Sequence, residues 1–300
     1  MKLPLIMATA LCVSATALCA EQVPSPVDKP YLGVIDLQVD ASNVAQKIVK
    51  VHERIPVRPG PLTLLYPQWQ LGAHAPADGS LSKLAGMMLH ADQQRIEWKR
   101  DPVNVYAFHA TVPAGVSYVE ADFDFLSPLE GSEGSILMTP EMLAVHWESL
   151  LLYPAGYFAR DITVRPIVKF PENWQFAGAL EVTAQSGTGA QFKAVNLEEL
   201  IDSPLYAGRN FKRIDLDPGA KVPVFLNLVA DGAESLEASP QQIDAHRALV
   251  RQAYQLFGSH HYDHYDLLFA ISDEMSHIGL EHQRSSENRS EEHTSELQSP

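Results

Sequence analysis

The sequence predicts a mainly β protein: a large antiparallel β-sandwich or curved-sheet domain at the N-terminal side, followed by a short α/β segment. Apolar and polar residues alternate with period two through residues 31–231, which is typical of half-buried strands. Turn residues separate these runs, as at Pro113-Ala114-Gly115 and Asp217-Pro218-Gly219. The chain has 21 prolines and 17 glycines in 300 residues, so long helices are not expected to dominate it.

The clearest predicted strand covers residues 119–125, where Val, Ala and Phe alternate with acidic residues. Its acidic face carries Glu120, Asp122 and Asp124. Carboxylates that share a face could suggest glycoside hydrolysis. We expect this face to be solvent surface instead, because the two catalytic acids of a glycosidase usually come from different secondary-structure elements. A short helix is predicted at Leu197–Ile201. Similar alternation predicts strands at Gly33–Val39, Ile48–Ile55, Leu84–His90, Val103–Val112, Ile162–Val168 and Val222–Val229.

A helix and a strand follow the alternating region. Ser239-Pro240-Gln241-Gln242 combines a helix N-cap, a first-turn proline and a capping-box glutamine, and Gly258 is a natural helix end. The apolar run Leu267–Ile271 then predicts a strand. We therefore predict a β domain at 27–232 and the incomplete beginning of a second domain at 239–288.

The first residues have the pattern of a cleavable signal peptide, predicted at 1–20. A positive charge at Lys2 precedes an apolar stretch, and small residues end at Ala20. Both cysteines of the chain, Cys12 and Cys19, lie inside this segment. We expect a mature protein without disulfides, periplasmic or secreted, with no membrane association after cleavage.

The last residues, 289–300, read RSEEHTSELQSP and contain one large apolar side chain. This string resembles the translation of a sequencing-library adapter, so we expect it not to belong to the fold.

The charge of the chain excludes one class of partner. Lys and Arg number 22 against 37 Asp and Glu, giving a net charge of −15. Binding to a phosphate backbone needs clustered basic residues, so we expect no nucleic-acid partner.

Three segments carry a family resemblance: Arg58–Pro67 with Trp69, Tyr153–Tyr157, and Ile278–His282 with Arg284–Asn288. They resemble the glycyl aminopeptidase family of bacterial zinc metallopeptidases. The resemblance implies an N-terminal β domain followed by the start of a thermolysin-like catalytic domain. It also implies a fragment of an exported zinc aminopeptidase that releases N-terminal residues, with a preference for glycine or alanine.

The zinc motif of that family, H-E-x-x-H, is absent from this sequence. His52-Glu53 continues as Arg54-Ile55-Pro56, with no second histidine and with a proline that would break a helix. We therefore expect zinc in the full-length enzyme and no catalytic residue, metal ligand, bound cofactor or hydrolysis in this chain.

The segment Gly279-Leu280-Glu281-His282 resembles the exopeptidase motif of related aminopeptidases, in which a glutamate at a strand edge meets the substrate's free α-amine. The resemblance implies that Gly279, Leu280, Glu281 and His282 bind a peptide substrate with a free N-terminus. An edge strand can pair with an extended peptide, and a glycine lets the peptide backbone approach.

A second interpretation assigns the chain to a different functional class: a secreted, non-catalytic β-sandwich module that binds a peptide or a glycan.

Two further features are expected to be structural. The histidines of His260-His261-Tyr262-Asp263-His264 follow a helix end and should face solvent, and Trp69 should be buried.

Overall fold

The computed structural model describes residues 22–71, 75–76, 80–275 and 277–291. It confirms the mainly β fold, with several antiparallel sheets and few helices. The predicted signal segment 1–20 and residues 292–300 lie outside the described residues. The strands are β1 (Val34–Asp40), β2 (Ile48–Pro56), β3 (Gly60–Leu65), β4 (Trp69–Gln70), β5 (Ala75–Pro76), β6 (Leu84–Ala91), β7 (Gln94–Ile96), β8 (Trp98–Arg100), β9 (Ala107–Val112), β10 (Tyr118–Leu126), β11 (Met142–Val145), β12 (Tyr153–Pro154), β13 (Thr163–Lys169), β14 (Gln175–Gly178), β15 (Val182–Ser186), β16 (Gly189–Phe192), β17 (Val195–Asn196), β18 (Leu205–Gly208), β19 (Asn210–Asp215), β20 (Val224–Ala230), β21 (Tyr265–Ile271), β22 (Ile278–Glu281) and β23 (Ser285–Ser290). The α-helices are α1 (Leu197–Ile201) and α2 (Pro240–Phe257), and single 3-10 turns lie at Val44–Gln46, Ser80–Lys83, Gly131–Glu133, Trp147–Ser149, Ala159–Asp161 and Ala233–Leu236.

The largest sheet has nine strands in the order β15-β16-β13-β1-β2-β10-β6-β7, with β17 also paired to β13. Strand β10 lies between β2 and β6, and its side chains alternate as predicted. Val119, Ala121 and Phe123 are buried, because a strand that covers a core exposes every second side chain to the other side. Asp122 on the opposite face is 41% exposed and lies 2.8 Å from the His52 ring.

Two smaller sheets cover the apolar face of the large one. Their strand orders are β12-β3-β9-β8 and β11-β18-β14. Trp147 is fully buried in the shared core, and its indole N–H donates to the carbonyl of Ser203 at 2.8 Å. Burial of a whole indole with its single donor satisfied is strongly stabilising.

A separate five-stranded sheet has the order β19-β20-β21-β23-β22. Strands β20 and β21 are parallel, and α2 connects them, as parallel pairing requires a long crossover. Strand β20, which lies in the predicted range 27–232, thus pairs with β21 of the predicted range 239–288, and β19 joins the same sheet through β20. The end of the alternating pattern before Ser239 therefore coincides with the start of α2, the helix that connects two strands of this sheet.

Helix α2 begins and ends as the sequence predicts. The Ser239 hydroxyl accepts from the Gln242 N–H at 3.3 Å, while the Gln242 side chain accepts from the Ser239 N–H at 2.7 Å. Gly258 ends the helix at φ 67°, a left-handed conformation that glycine adopts without strain. Among the described residues, no helix is long and apolar enough to cross a membrane.

Two local predictions differ from the structure. The strand predicted at Val103–Val112 begins only at Ala107, because the Asp101 carboxylate accepts from the Val103 and Asn104 N–H groups and forms a turn before it. The predicted burial of Trp69 is wrong, since this residue is 55% exposed. Its two-residue strand β4 pairs only with β5 and lies outside the larger sheets.

Candidate substrate-binding site at an edge strand

Strand β22 is the outermost strand of the five-stranded sheet and pairs antiparallel with β23 on one side. Three of the four residues predicted to bind substrate, Gly279, Leu280 and Glu281, lie on it. Gly279 and Glu281 are exposed and Leu280 is half-buried. A Cβ placed on Gly279 would meet no atom within 4 Å, so the sheet face over this position has room for a ligand. Among the described residues, the structure thus places a carboxylate on the outermost strand of the sheet.

The fourth predicted residue, His282, has a different environment. Its side chain is 4% exposed, and its Nδ1 lies 2.9 Å from the Asp202 carboxylate. Its Nε2 lies 3.3 Å from the carboxylate of Glu287. Burial lowers the pKa of His282, but the hydrogen bonds to Asp202 and Glu287 outweigh burial and raise it to about 9. Both nitrogens of the imidazolium therefore donate to protein carboxylates, which leaves neither nitrogen of this buried ring for a substrate.

Asp202 comes from the β domain, at the C-terminal end of α1. One of its oxygens faces His282, and the other accepts from the Gln283 N–H at 2.9 Å. In the same turn, the Arg284 guanidinium donates to Glu199 of α1. Helix α1 thereby holds the β22–β23 turn directly after Glu281 from two sides.

A second group of buried charges lies behind His282. Glu287 is 1% exposed, and His146 of the β domain lies 2.9 Å from its second oxygen. Burial favours the protonated form of Glu287, but the charge of His146 and the hydrogen bonds of His146 and His282 hold its pKa well below the usual range. Burial lowers the pKa of His146, and Glu287 more than reverses this and raises it. Burial raises the pKa of Glu148, which lies 3.7 Å from His146.

Sequence reasoning missed Asp202, His146 and Glu148. Asp202 is 80 positions from His282, and His146 is 141 positions from Glu287. No periodicity or spacing within a segment relates residues so far apart, so only chain topology brings them together. Glu287 belongs to the Arg284–Asn288 segment that carries the family resemblance, which was its one sequence signal.

The histidines after α2 do not converge on a common point. His260 faces the Tyr262 carbonyl at 3.1 Å, His261 the Gln283 carbonyl at 2.7 Å, and His264 the Ala179 carbonyl at 3.1 Å. His260 and His261 are exposed, as predicted for this turn.

The His52-Glu53 pair is also divided. The His52 ring faces Asp122 on the outer surface of the sheet, while Glu53 is fully buried on the other face. Both Glu53 oxygens accept from the Leu152 N–H, at 2.9 and 3.1 Å, and burial raises the pKa of Glu53 well above its usual value. Over the described part of the chain, no three or more His, Cys, Asp and Glu side chains gather as metal donors. These residues therefore do not fit a catalytic zinc centre.

Solved structures resemble this chain in fold. An aminopeptidase N family protein from Idiomarina loihiensis has a TM-score of 0.70 at 15% identity, over 89% of this chain and 44% of that one. An M1 zinc metallopeptidase from Deinococcus radiodurans has a TM-score of 0.50 at 12% identity, over 90% of this chain and 61% of that one. This chain spans less than two thirds of either protein. No curated protein sequence matches it.

The family comparison is more specific. Residues 36–209 match the Peptidase M61 N-terminal domain, which is more than half of the 300 residues. The match ends at Arg209, directly before β19 begins the five-stranded sheet. This chain belongs to the Peptidase M61 N-terminal domain family.

Proposed function

We propose that this chain is part of an exported, zinc-dependent aminopeptidase of the glycyl aminopeptidase type, and that it binds the substrate's free N-terminus at Glu281. The carrying observation is the exposed residue Glu281 at the end of the outermost strand of the sheet, with room on the sheet face over Gly279. The signal-peptide pattern at 1–20 supports export to the periplasm or secretion.

The physical basis is the recognition of an ammonium group. A fixed carboxylate at the end of β22 favours a charged α-amine over an acylated one, and a charge-assisted hydrogen bond contributes about 1.5–3 kcal/mol. The peptide backbone pairs with the outer edge of β22, in the way an added strand extends a sheet. Gly279 allows this approach because it has no side chain.

In the full-length enzyme zinc would supply the activation of water, and no group of the described residues would hold it. The Deinococcus radiodurans structure is that of a zinc metallopeptidase, and a related two-domain zinc metallopeptidase holds L-arginine. The described residues of this chain bind and position the peptide, and we expect no hydrolysis by the chain, since it has no H-E-x-x-H. A preference for N-terminal glycine or alanine follows from the family resemblance.

Binding of a tripeptide tests the proposal on the full chain. Gly-Ala-Ala with a free amine should shift the backbone amide signals of Gly279, Leu280 and Glu281, measured by NMR, and its N-acetylated form should bind about tenfold or more weakly. Glu281→Gln should remove this difference, and the matched control Glu274→Gln, an exposed carboxylate in the preceding loop, should keep it.

Equal binding of the free and acetylated peptides to the unaltered chain would contradict the proposal. It would favour the second interpretation, a non-catalytic module that binds peptides or glycans by other contacts.

A further inference from the structure

The turn that follows Glu281 is held by a domain that Glu281 does not belong to. The Asp202 carboxylate bridges two consecutive residues of this turn, with His282 Nδ1 and the Gln283 N–H both 2.9 Å away. Asp202 is itself held, since its N–H donates to carbonyls of α1 as the helix cap. The turn is closed by the His282 N–H, which donates to the Ser285 carbonyl at 2.9 Å.

The protonation state of His282 determines how many hydrogen bonds its ring can donate to Asp202 and Glu287. A neutral imidazole carries one N–H and would leave one of the two facing carboxylates without a donor. The imidazolium satisfies Asp202 and Glu287 together, in a side chain that is 4% exposed.

Several other charged groups surround this contact. Arg284 pairs with Glu199 and lies 3.7 Å from Asp263 in the same turn. Further titratable side chains surround Glu287. His146 and Arg289 contact its carboxylate, and Glu148 and Tyr206 lie next to His146 and Arg289 respectively. The groups that hydrogen-bond the His282 ring are the two carboxylates, so protonation of His282 changes its own contribution to holding the turn, while the contacts of Gln283 and Arg284 remain.

We propose that Asp202, acting through the His282 imidazolium, is a positioning residue that fixes the Glu281 carboxylate for the substrate's ammonium group. This inference rests on the proposed function of Glu281. Glu281 is joined to His282 by one peptide bond, so a clamped His282 restricts the backbone from which the Glu281 side chain extends. A carboxylate held in place binds an ammonium without the ordering cost that a mobile one pays.

The test combines Asp202→Asn with peptide binding at two pH values. The substitution keeps the shape but removes the charge and one of the two acceptor oxygens, so the NMR-measured pKa of His282 should fall from about 9 toward about 6.5. Affinity for Gly-Ala-Ala relative to the unaltered chain should then fall about tenfold at pH 7.5 and recover in part, by about threefold or more, at pH 6, where the imidazolium returns. Taking the ratio cancels titration of the peptide's own amine.

Two variants control this experiment. Glu198→Gln removes an exposed carboxylate from the same helix and should leave the ratio at one at both pH values. His282→Gln cannot become charged and should lower the affinity at both pH values without recovery. The urea unfolding midpoint of each variant shows whether it folds. If Asp202→Asn folds poorly, His282→Gln still tests the role of the imidazolium.

The outcomes separate this inference from the proposed function. A ratio of one at both pH values, or an equal loss at both with an unchanged His282 titration, overturns the positioning role while leaving Glu281 in place. Equal binding of free and acetylated peptide to the unaltered chain overturns the proposed function and this inference with it.

Discussion

Two aspartate–histidine pairs of this protein have the same separation and different roles. Asp101 and His109 lie 2.9 Å apart within one sheet of the β domain, eight positions apart in the sequence. Asp202 and His282 also lie 2.9 Å apart, but they are 80 positions apart and join α1 to the five-stranded sheet. The first pair supports a local turn, while the second connects two parts of the chain beside the candidate site.

The two histidines also differ in the group that faces their second ring nitrogen. His109 Nδ1 faces the Thr63 hydroxyl at 3.0 Å, a neutral cross-strand partner. His282 Nε2 faces a second carboxylate, Glu287. The hydrogen bond from His109 and those from two backbone N–H groups lower the pKa of Asp101 to about 2, whereas at the other pair the pKa of His282 is raised to about 9. Hydrogen bonds to two facing carboxylates account for the raised pKa of His282.

The largest expected effect comes from removing the carboxylate shared by two histidines. Glu287→Ala should lower the free energy of unfolding by about 3–5 kcal/mol, because it removes a buried counter-charge that contacts His146, His282 and Arg289. Urea denaturation at pH 7 measures this loss. Glu287→Gln should lower the free energy of unfolding by less, since the amide oxygen still accepts one hydrogen bond. A loss as small as that of Glu198→Ala, about 0.5 kcal/mol or less, would show that the charged group does not stabilise the fold.

A smaller effect follows from the pH dependence of the His282 contact. Its folded pKa lies above the ordinary value, so its stabilisation is complete below about pH 6.5 and is lost as pH rises through about 9. The stability difference between the unaltered chain and His282→Gln should be on the order of 2–3 kcal/mol larger at pH 6 than above pH 9. Urea midpoints at pH 6, 7.5 and 9.5 test this, and a pH-independent difference would contradict it.

The smallest effect is expected at the Asp101 pair, with the opposite sign in pH. Its folded pKa lies below the ordinary value, so its stabilisation is present above about pH 4 and is lost as pH falls through about 2. Asp101→Asn should therefore be less stable than the unaltered chain at pH 6, with a difference that shrinks from pH 4 to pH 2.5. An alkaline rather than acid dependence in the urea midpoints would remove the contrast between the two pairs.

Much of the local structure could be predicted because the responsible residues are close in sequence. The alternation of β10 places Phe123 and Phe125 inside, and the Ser239 capping box and Gly258 bound α2 within one residue. The exposure of Trp69 and the late start of β9 could not be predicted in this way. The first depends on which sheets cover a short hairpin, and the second on an aspartate whose carboxylate competes for backbone N–H groups.

At the candidate site, the family resemblance predicted the strand edge that carries Gly279 and Glu281, and the structure has a strand there. Neither pattern nor resemblance predicted that the His282 side chain is buried against Asp202, because the two residues are 80 positions apart. The pairing of β19 and β20 with strands that follow α2 is likewise a long-range contact that local pattern does not show.

Local sequence pattern was enough to predict the β character of the chain and the caps of its longer helix, and the family resemblance added the strand edge at Glu281. Tertiary structure alone decided which strands share a sheet and which carboxylates face His282. Alternation and capping are satisfied by neighbours a few residues apart. A buried charge is satisfied only by whatever the completed fold brings within hydrogen-bonding distance.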